Sequence, residues 1–190
     1  MFLAGWAAVG VLVLAALAMT ARNFVMVARA ERIVLKLASD IGAKVNKEDK
    51  KDRLNWRKGE TAFEINLRRT ALAKVNQFSL QVHDDNRRPV YRAVRLATKR
   101  ENGGESWGPH ALGFKNFDQI GRIIGIGNSG VREHLRDNKR PEKLTKLLEI
   151  GFDEVEVQRG SIFAKRTGPF DPDVLETRNI QSWIGMLQEL

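Results

Sequence analysis

The chain contains no cysteine. That excludes disulfides, thiolate metal sites and a cysteine nucleophile, and it fits a reducing compartment. Histidine is scarce too, with His83, His110 and His134 the only three. They fall in a turn, a Gly-Pro loop and a helical stretch with no ligand spacing among them, so they read as ordinary surface histidines and no metal or other cofactor is expected. The most informative shortage is of charge. Residues 1 to 21, MFLAGWAAVGVLVLAALAMTA, carry no ionisable side chain at all.

A hydrocarbon layer about 30 Å thick needs roughly 20 apolar residues in a helix. Backbone polar groups inside lipid must be satisfied within the segment, so helix is the expected conformation. Gly5 and Gly10 are normal in such spans, where they permit close helix contact. A cleaved signal peptide is the rival, since Ala16-Leu17-Ala18 offers a small-x-small site. The missing basic stretch before the apolar run and the length of that run favour an anchor. Arg22, Arg29, Arg32 and Lys36 follow the span and no Lys or Arg precedes it. The positive-inside rule then puts the N-terminus outside, near Trp6, and the rest of the chain in the cytoplasm at the inner membrane of a bacterial cell.

The formal charge is +9 and unevenly placed. Residues 22 to 100 hold 20 Lys and Arg against 9 Asp and Glu, a net of +11, whereas residues 101 to 190 hold 12 against 14, a net of −2. A gradient that falls away from the span points first to anionic lipid headgroups. The expected organisation is a transmembrane helix over 1–21, a basic juxtamembrane helix over 22–43, a charged linker over 44–60 and an α+β domain over 61–190. In the juxtamembrane helix Val27, Ala30, Val34, Leu37 and Ile41 recur at helical steps, and Arg22, Arg29, Arg32 and Lys36 lay their stems on apolar surface with their charges at the headgroups.

Strands are expected where apolar residues alternate: Phe63, Ile65 and Leu67; then Phe78, Leu80 and Val82; then Val90, Val94 and Leu96. The turn-like residues 83 to 89, HDDNRRP, should join the second and third as a hairpin. Residues 99 to 114 form a long Gly-containing loop, and residues 115 to 150 read mainly as helix, with Pro141 opening the last one and Gly151 closing it. Val155 with Val157 and Ile162 with Ala164 make another hairpin about Arg159-Gly160. A final amphipathic helix should start with Asp171 as N-cap and Pro172 at its first position. No internal repeat is visible.

Three constellations merit weighing. Residues 116 to 135 resemble a bacterial helix-turn-helix. Ile120, Gly121, Ile124, Gly125, Ile126 and Val131 take its apolar and small positions, and Asn128, Ser129 and Arg132 face base edges. Gly125, Gly127 and Gly130 also spell G-x-G-x-x-G, but no βαβ unit surrounds them. The basic run Arg87, Arg88, Arg92 and Arg95 is a candidate partner-binding patch, with a solvated edge strand as its competitor. Asp84 with Asp85, Glu133 with Asp137, and the serines Ser106 and Ser129 lack the setting of an acid–base pair or nucleophile, so no catalytic residue is expected. In its order of elements, ending in KLTKLLEIGFDEVEVQRGSIFAKR before a terminal helix, the chain resembles uncharacterised bacterial single-span membrane-anchored proteins. That resemblance implies an anchored architecture and no activity. The functional expectation is a non-enzymatic accessory or scaffold subunit, with the bilayer and an integral membrane complex (respiratory or photosynthetic) as its partners. The alternative is a membrane-tethered helix-turn-helix protein with nucleic acid as its partner.

Overall fold

The computed structural model describes residues 2–48, 51–70, 75–86, 88–96, 113–124, 129–136, 139–170 and 172–190. Helix α1 runs without a break over Phe2–Ile41. It ends because Gly42 takes a left-handed conformation, φ 68°. The Ala43 amide then donates to the Ala38 carbonyl at 2.8 Å and the Gly42 amide to that of Ser39 at 3.3 Å, which caps the orphan carbonyls of the last turn.

The chain passes directly from that cap into an antiparallel sheet of eight strands: β1 Lys44–Glu48, β2 Lys51–Lys58, β3 Thr61–Arg69, β4 Val75–His83, β5 Tyr91–Arg95, β6 Gly121–Ile124, β7 Glu154–Gln158 and β8 Ser161–Phe170. Their spatial order is β1-β2-β3-β4-β8-β7-β5-β6. The register sets one apolar row across all eight strands: Val45, Leu54, Ile65, Leu80, Ala164, Val155, Ala93 and Ile123. Every member but the edge residue Val45 is fully buried. Because side chains alternate, the row one residue over faces the other way. It is Asn46, Arg53, Asn66, Ser79, Lys165, Glu154, Val94 and Arg122, polar at every strand but β5. The sheet is therefore an amphipathic layer with one face available to helices.

That face receives α2 Lys115–Ile120, α3 Ser129–Arg136, α4 Arg140–Glu149 and α5 Thr177–Gln188, through Phe117, Leu135, Leu144, Leu147, Leu148, Ile180, Trp183 and Leu187. Trp183 meets Phe78 and Phe152 edge-on, at 5.6 and 5.3 Å between ring centroids. At the β2–β3 end of the inner face Asp52 is buried. Arg69 lies against it, Nη2 donating to Oδ1 at 3.1 Å with Nε 2.9 Å from Oδ2, as a buried carboxylate requires.

The architecture is the expected α+β arrangement of a long apolar helix, antiparallel strands, helices and a closing helix. Several expected elements are replaced. The expected linker is not one: residues 44–48 and 51–58 form β1 and β2, and the alternation Asp52, Leu54, Trp56 points inward. Residues 83 to 89 do not join neighbouring strands, because β8 and β7 lie between β4 and β5. Helix does not continue through residues 121 to 124, which are β6. Val94 lies opposite Glu154 and Arg122 on the outer face, so Tyr91 and Ala93, and not Val90, Val94 and Leu96, supply the buried side of β5. The last helix starts later than expected, after a short 3-10 turn over Pro172–Leu175 and with Glu176 at its N-cap. The loop 99–114 lies outside the described residues except for Gly113 and Phe114. The hairpin about Arg159-Gly160 and the α4 start at Pro141 are as expected.

Candidate functional site

Helix α1 has two surfaces, and they change over along its length. Leu12, Val13, Leu14, Leu17, Met19, Phe24 and Val25 are exposed, and the described part of α1 is long and apolar enough to cross a membrane, with a mean hydropathy of 1.5. Thr20, the polar residue of this stretch, donates its hydroxyl to the Ala16 carbonyl at 2.8 Å, so it brings no unsatisfied group into lipid. From Ala30 on, one face turns inward. Ala30, Val34, Leu37 and Ala38, spaced by four, three and one, are all at least 97% buried, and Val34, Leu37 and Ala38 belong to the same core as the sheet.

Polar contacts reinforce this docking. Arg29 pairs with Asp173 beside the 3-10 turn. The Thr177 hydroxyl donates to Asp40 at 2.7 Å at the start of α5, and Lys47 of β1 pairs with Glu31. Of the four residues expected at the headgroups, Arg22, Arg32 and Lys36 are exposed on α1, whereas Arg29 is exposed but engaged by Asp173.

The basic run ahead of and along β5 is not one free patch. Arg87 lies outside the described residues. Arg88 forms a two-point contact with Asp84, Nη1 to Oδ1 at 2.5 Å and Nη2 to Oδ2 at 2.8 Å, with the two side chains only 7% and 11% exposed. The Arg88 guanidinium holds the Asp84 carboxyl below the usual aspartate range against the opposing effect of burial. Arg92 pairs across the sheet with Glu154. Arg95 is exposed. Of the residues described, only Arg95 presents its charge to solvent without an acidic partner, and a coherent surface for an acidic partner is not formed there.

The helix-turn-helix reading fails on the backbone. Its first helix would need residues 118 to 124, yet α2 ends at Ile120 and Gly121–Ile124 is a strand paired with β5. Gly121 allows close packing of that strand against α2 and α4. A Cβ there would lie 2.6 Å from Leu148 Cδ1 and 3.0 Å from the Phe117 ring. Asn128 lies outside the described residues, Ser129 opens α3, and Arg132 is exposed on α3, whose Val131 and Leu135 are buried in the core.

No family model matches this chain, and no curated protein does. Its fold is similar to that of the mycobacterial trehalose monomycolate transport factor A, TtfA. The likeness to that crystal structure has a TM-score of 0.57, covers 85% of this chain and 96% of TtfA, and comes with 11% sequence identity. At that identity it is a likeness of fold.

Tyr91, which sequence reasoning did not single out, is the one tyrosine and is 1% exposed. Its ring lies 6.0 Å from that of His134. Burial pushes its phenol well above the ordinary value, and the charges of Arg140 and Arg88 offset part of the rise. His134 in turn meets the Leu190 carbonyl through Nε2 at 2.7 Å, while His83 is exposed and His110 lies outside the described residues. Among the described residues no group of three His, Cys, Asp or Glu is arranged to hold a metal. The alternation of strand residues gave a signal for a buried Tyr91. The acids that engage the basic run were legible only for Asp84, four residues from Arg88.

Proposed function

We propose that this chain is a non-enzymatic, membrane-anchored accessory protein whose cytoplasmic domain docks on a larger integral membrane complex. The observation that carries the reading is the dual role of α1, apolar enough to span a bilayer at one end and part of the domain core at the other. The first charged residue after the apolar run is Arg22 and the first buried one is Ala30. Eight residues of helix rise about 12 Å, and the headgroup layer on each side is roughly 5–7 Å deep. The domain is then held at the membrane surface at a fixed height and angle, as suits a protein that meets an integral membrane partner from the cytoplasm.

The basic flank of the span supports the cytoplasmic orientation. Exposed Arg22, at the end of the apolar run, would meet anionic headgroups, worth about 1 kcal/mol near such a surface, while Arg32 and Lys36 lie about 15 and 21 Å further along the helix. The non-enzymatic part of the reading rests on where the charged groups are committed. Asp84 belongs to Arg88, Asp52 to Arg69 and Glu154 to Arg92, each a structural ion pair. The neighbour of like fold is by name a transport factor, which makes membrane transport assemblies the first partners to test, ahead of respiratory or photosynthetic ones.

The test is extraction of the tagged full chain from its native membrane in a mild detergent, followed by size analysis. The expected result is a species well above the mass of the chain and its micelle that contains a stoichiometric integral membrane protein. A chain that migrates alone under several mild detergents contradicts the accessory reading.

A further inference from the structure

A cleft of about 680 Å³ opens where the start of α4, the turn after β4 and the C-terminal end of α5 meet. Arg88, His134, Lys139, Arg140 and Lys143 line it. Two of these charges are already balanced, Arg88 by Asp84 and Lys143 by Glu189. Lys139 and Arg140 remain as its net positive charge. They sit at the first turn of a ten-residue helix, where the helix dipole is itself positive and cations are disfavoured. Lys139 is moreover the one non-glycine residue among those described with a positive φ, 56°, a conformation that a lysine adopts at a cost. The sequence thus accepts two unfavourable placements to concentrate positive charge at this point.

Buried polar atoms beneath the cleft give independent support. Arg140 donates through Nη1 to the His134 carbonyl at 2.6 Å, and its Nε is buried with no hydrogen-bond partner. The Tyr91 hydroxyl is also buried without a partner, on a ring next to His134 and within the field of Arg140 and Arg88. Buried donors left unmade are rare in folded proteins and call for an acceptor. Lys139 and Arg140 line the space that opens at the α4 start, and the Tyr91 ring packs against His134 of the same lining.

We propose that this cleft binds a phosphate group, held by Lys139 and Arg140 with the Tyr91 hydroxyl as a further donor. A tetrahedral dianion accepts several charge-assisted hydrogen bonds at once and is favoured at a helix N-terminus. Tetrahedral phosphate oxygens are offered by a free phosphate or phosphomonoester, as a dianion, and by an anionic lipid headgroup, as a singly charged phosphodiester. The inference does not depend on the accessory reading.

The experiment uses the full chain in nanodiscs of neutral phosphatidylcholine, with melting temperature read against added inorganic phosphate at ionic strength matched with chloride. A second arm replaces part of the lipid with phosphatidylglycerol and adds no phosphate. A saturable rise in the first arm assigns a soluble phosphate, and a rise in the second arm alone assigns a headgroup. In either case the response should weaken at least tenfold in concentration dependence in a Lys139→Gln/Arg140→Gln variant and stay unchanged in Arg95→Gln. Lys139→Gly separates folding from binding. Glycine is at ease at φ 56°, so its melting temperature without ligand should rise while its response to the ligand falls. The proposal is overturned if neither arm shifts the native chain, if the shift survives in Lys139→Gln/Arg140→Gln and Lys139→Gly, or if Arg95→Gln loses it equally.

Discussion

Leu37 offers a direct test of whether α1 belongs to the domain or merely leads to it. It is 1% exposed and sits in the core with Val34 and Ala38, whereas Leu35, two residues away on the same helix, is 45% exposed. Truncating a buried leucine to alanine removes its transfer free energy and leaves a cavity, together about 2–5 kcal/mol. Taking about 3 kcal/mol, and about 2–4 °C per kcal/mol for a domain of this size, Leu37→Ala should lower the melting temperature of the full chain in detergent by roughly 6–12 °C. Leu35→Ala removes the same atoms from an exposed position and improves helix propensity slightly, so its effect should stay within about 0.5 kcal/mol. Melting followed by near-ultraviolet circular dichroism, to which Trp183 in the aromatic cluster with Phe78 and Phe152 contributes, reports on tertiary packing. Equal, small effects of the two substitutions would refute the docking of α1 and restore a flexible tether.

Other consequences are open to measurement. Gly121→Ala places a methyl 2.6 Å from Leu148 Cδ1 and should destabilise by about 1–3 kcal/mol through overpacking; a Leu148→Ala background should reduce that penalty, and an additive double variant would count against the contact. The pH dependence follows from Asp84, whose carboxyl Arg88 holds below the usual range. Its contribution is fully present above the ordinary aspartate value and is lost as pH falls through the folded value. Asp84→Asn should therefore be less stable than the native chain at neutral pH, with the gap closing in acid; a gap that persists at low pH is incompatible with this pair. A reporter fused after Leu190 should behave as cytoplasmic, and one that is exported reverses the orientation.

The parts of the fold that sequence pattern reveals are those fixed by neighbours in the chain. Ile65 and Leu67, Leu80 and Val82, and Val155 and Val157 alternate within single strands, and the β7–β8 hairpin closes over two residues, so local periodicity suffices. The β1–β2 pair was obscured by its own charges. Lys44 and Lys47 protect the β1 edge from pairing with other chains, and with Lys51, Arg53 and Arg57 of β2 they masked the inward residues Leu54 and Trp56. The position of β8 between β7 and the distant β4 is set by the register of the apolar row, which no short window contains. Strand β6 has four residues, and Ile120, Ile123 and Ile124 fit a helical period as well as an alternating one. The same holds for the charged groups. Asp84 and Arg88 lie one helical turn apart in sequence, whereas Arg92 finds Glu154 only through the β5–β7 pairing, so a run of arginines looked freer than it is. The cleft at Lys139 and Arg140 needs three separated segments and was invisible for the same reason.

The central claim is that the membrane span and the domain form one rigid body through α1. The absence of cysteine lets two labels be placed at will. Spin labels at Leu17→Cys, exposed in the apolar segment, and Arg159→Cys, exposed in the β7–β8 turn, should give a single narrow distance distribution by pulsed electron paramagnetic resonance in nanodiscs. A broad distribution, of the width a polar linker of about 15 residues would allow, would contradict it.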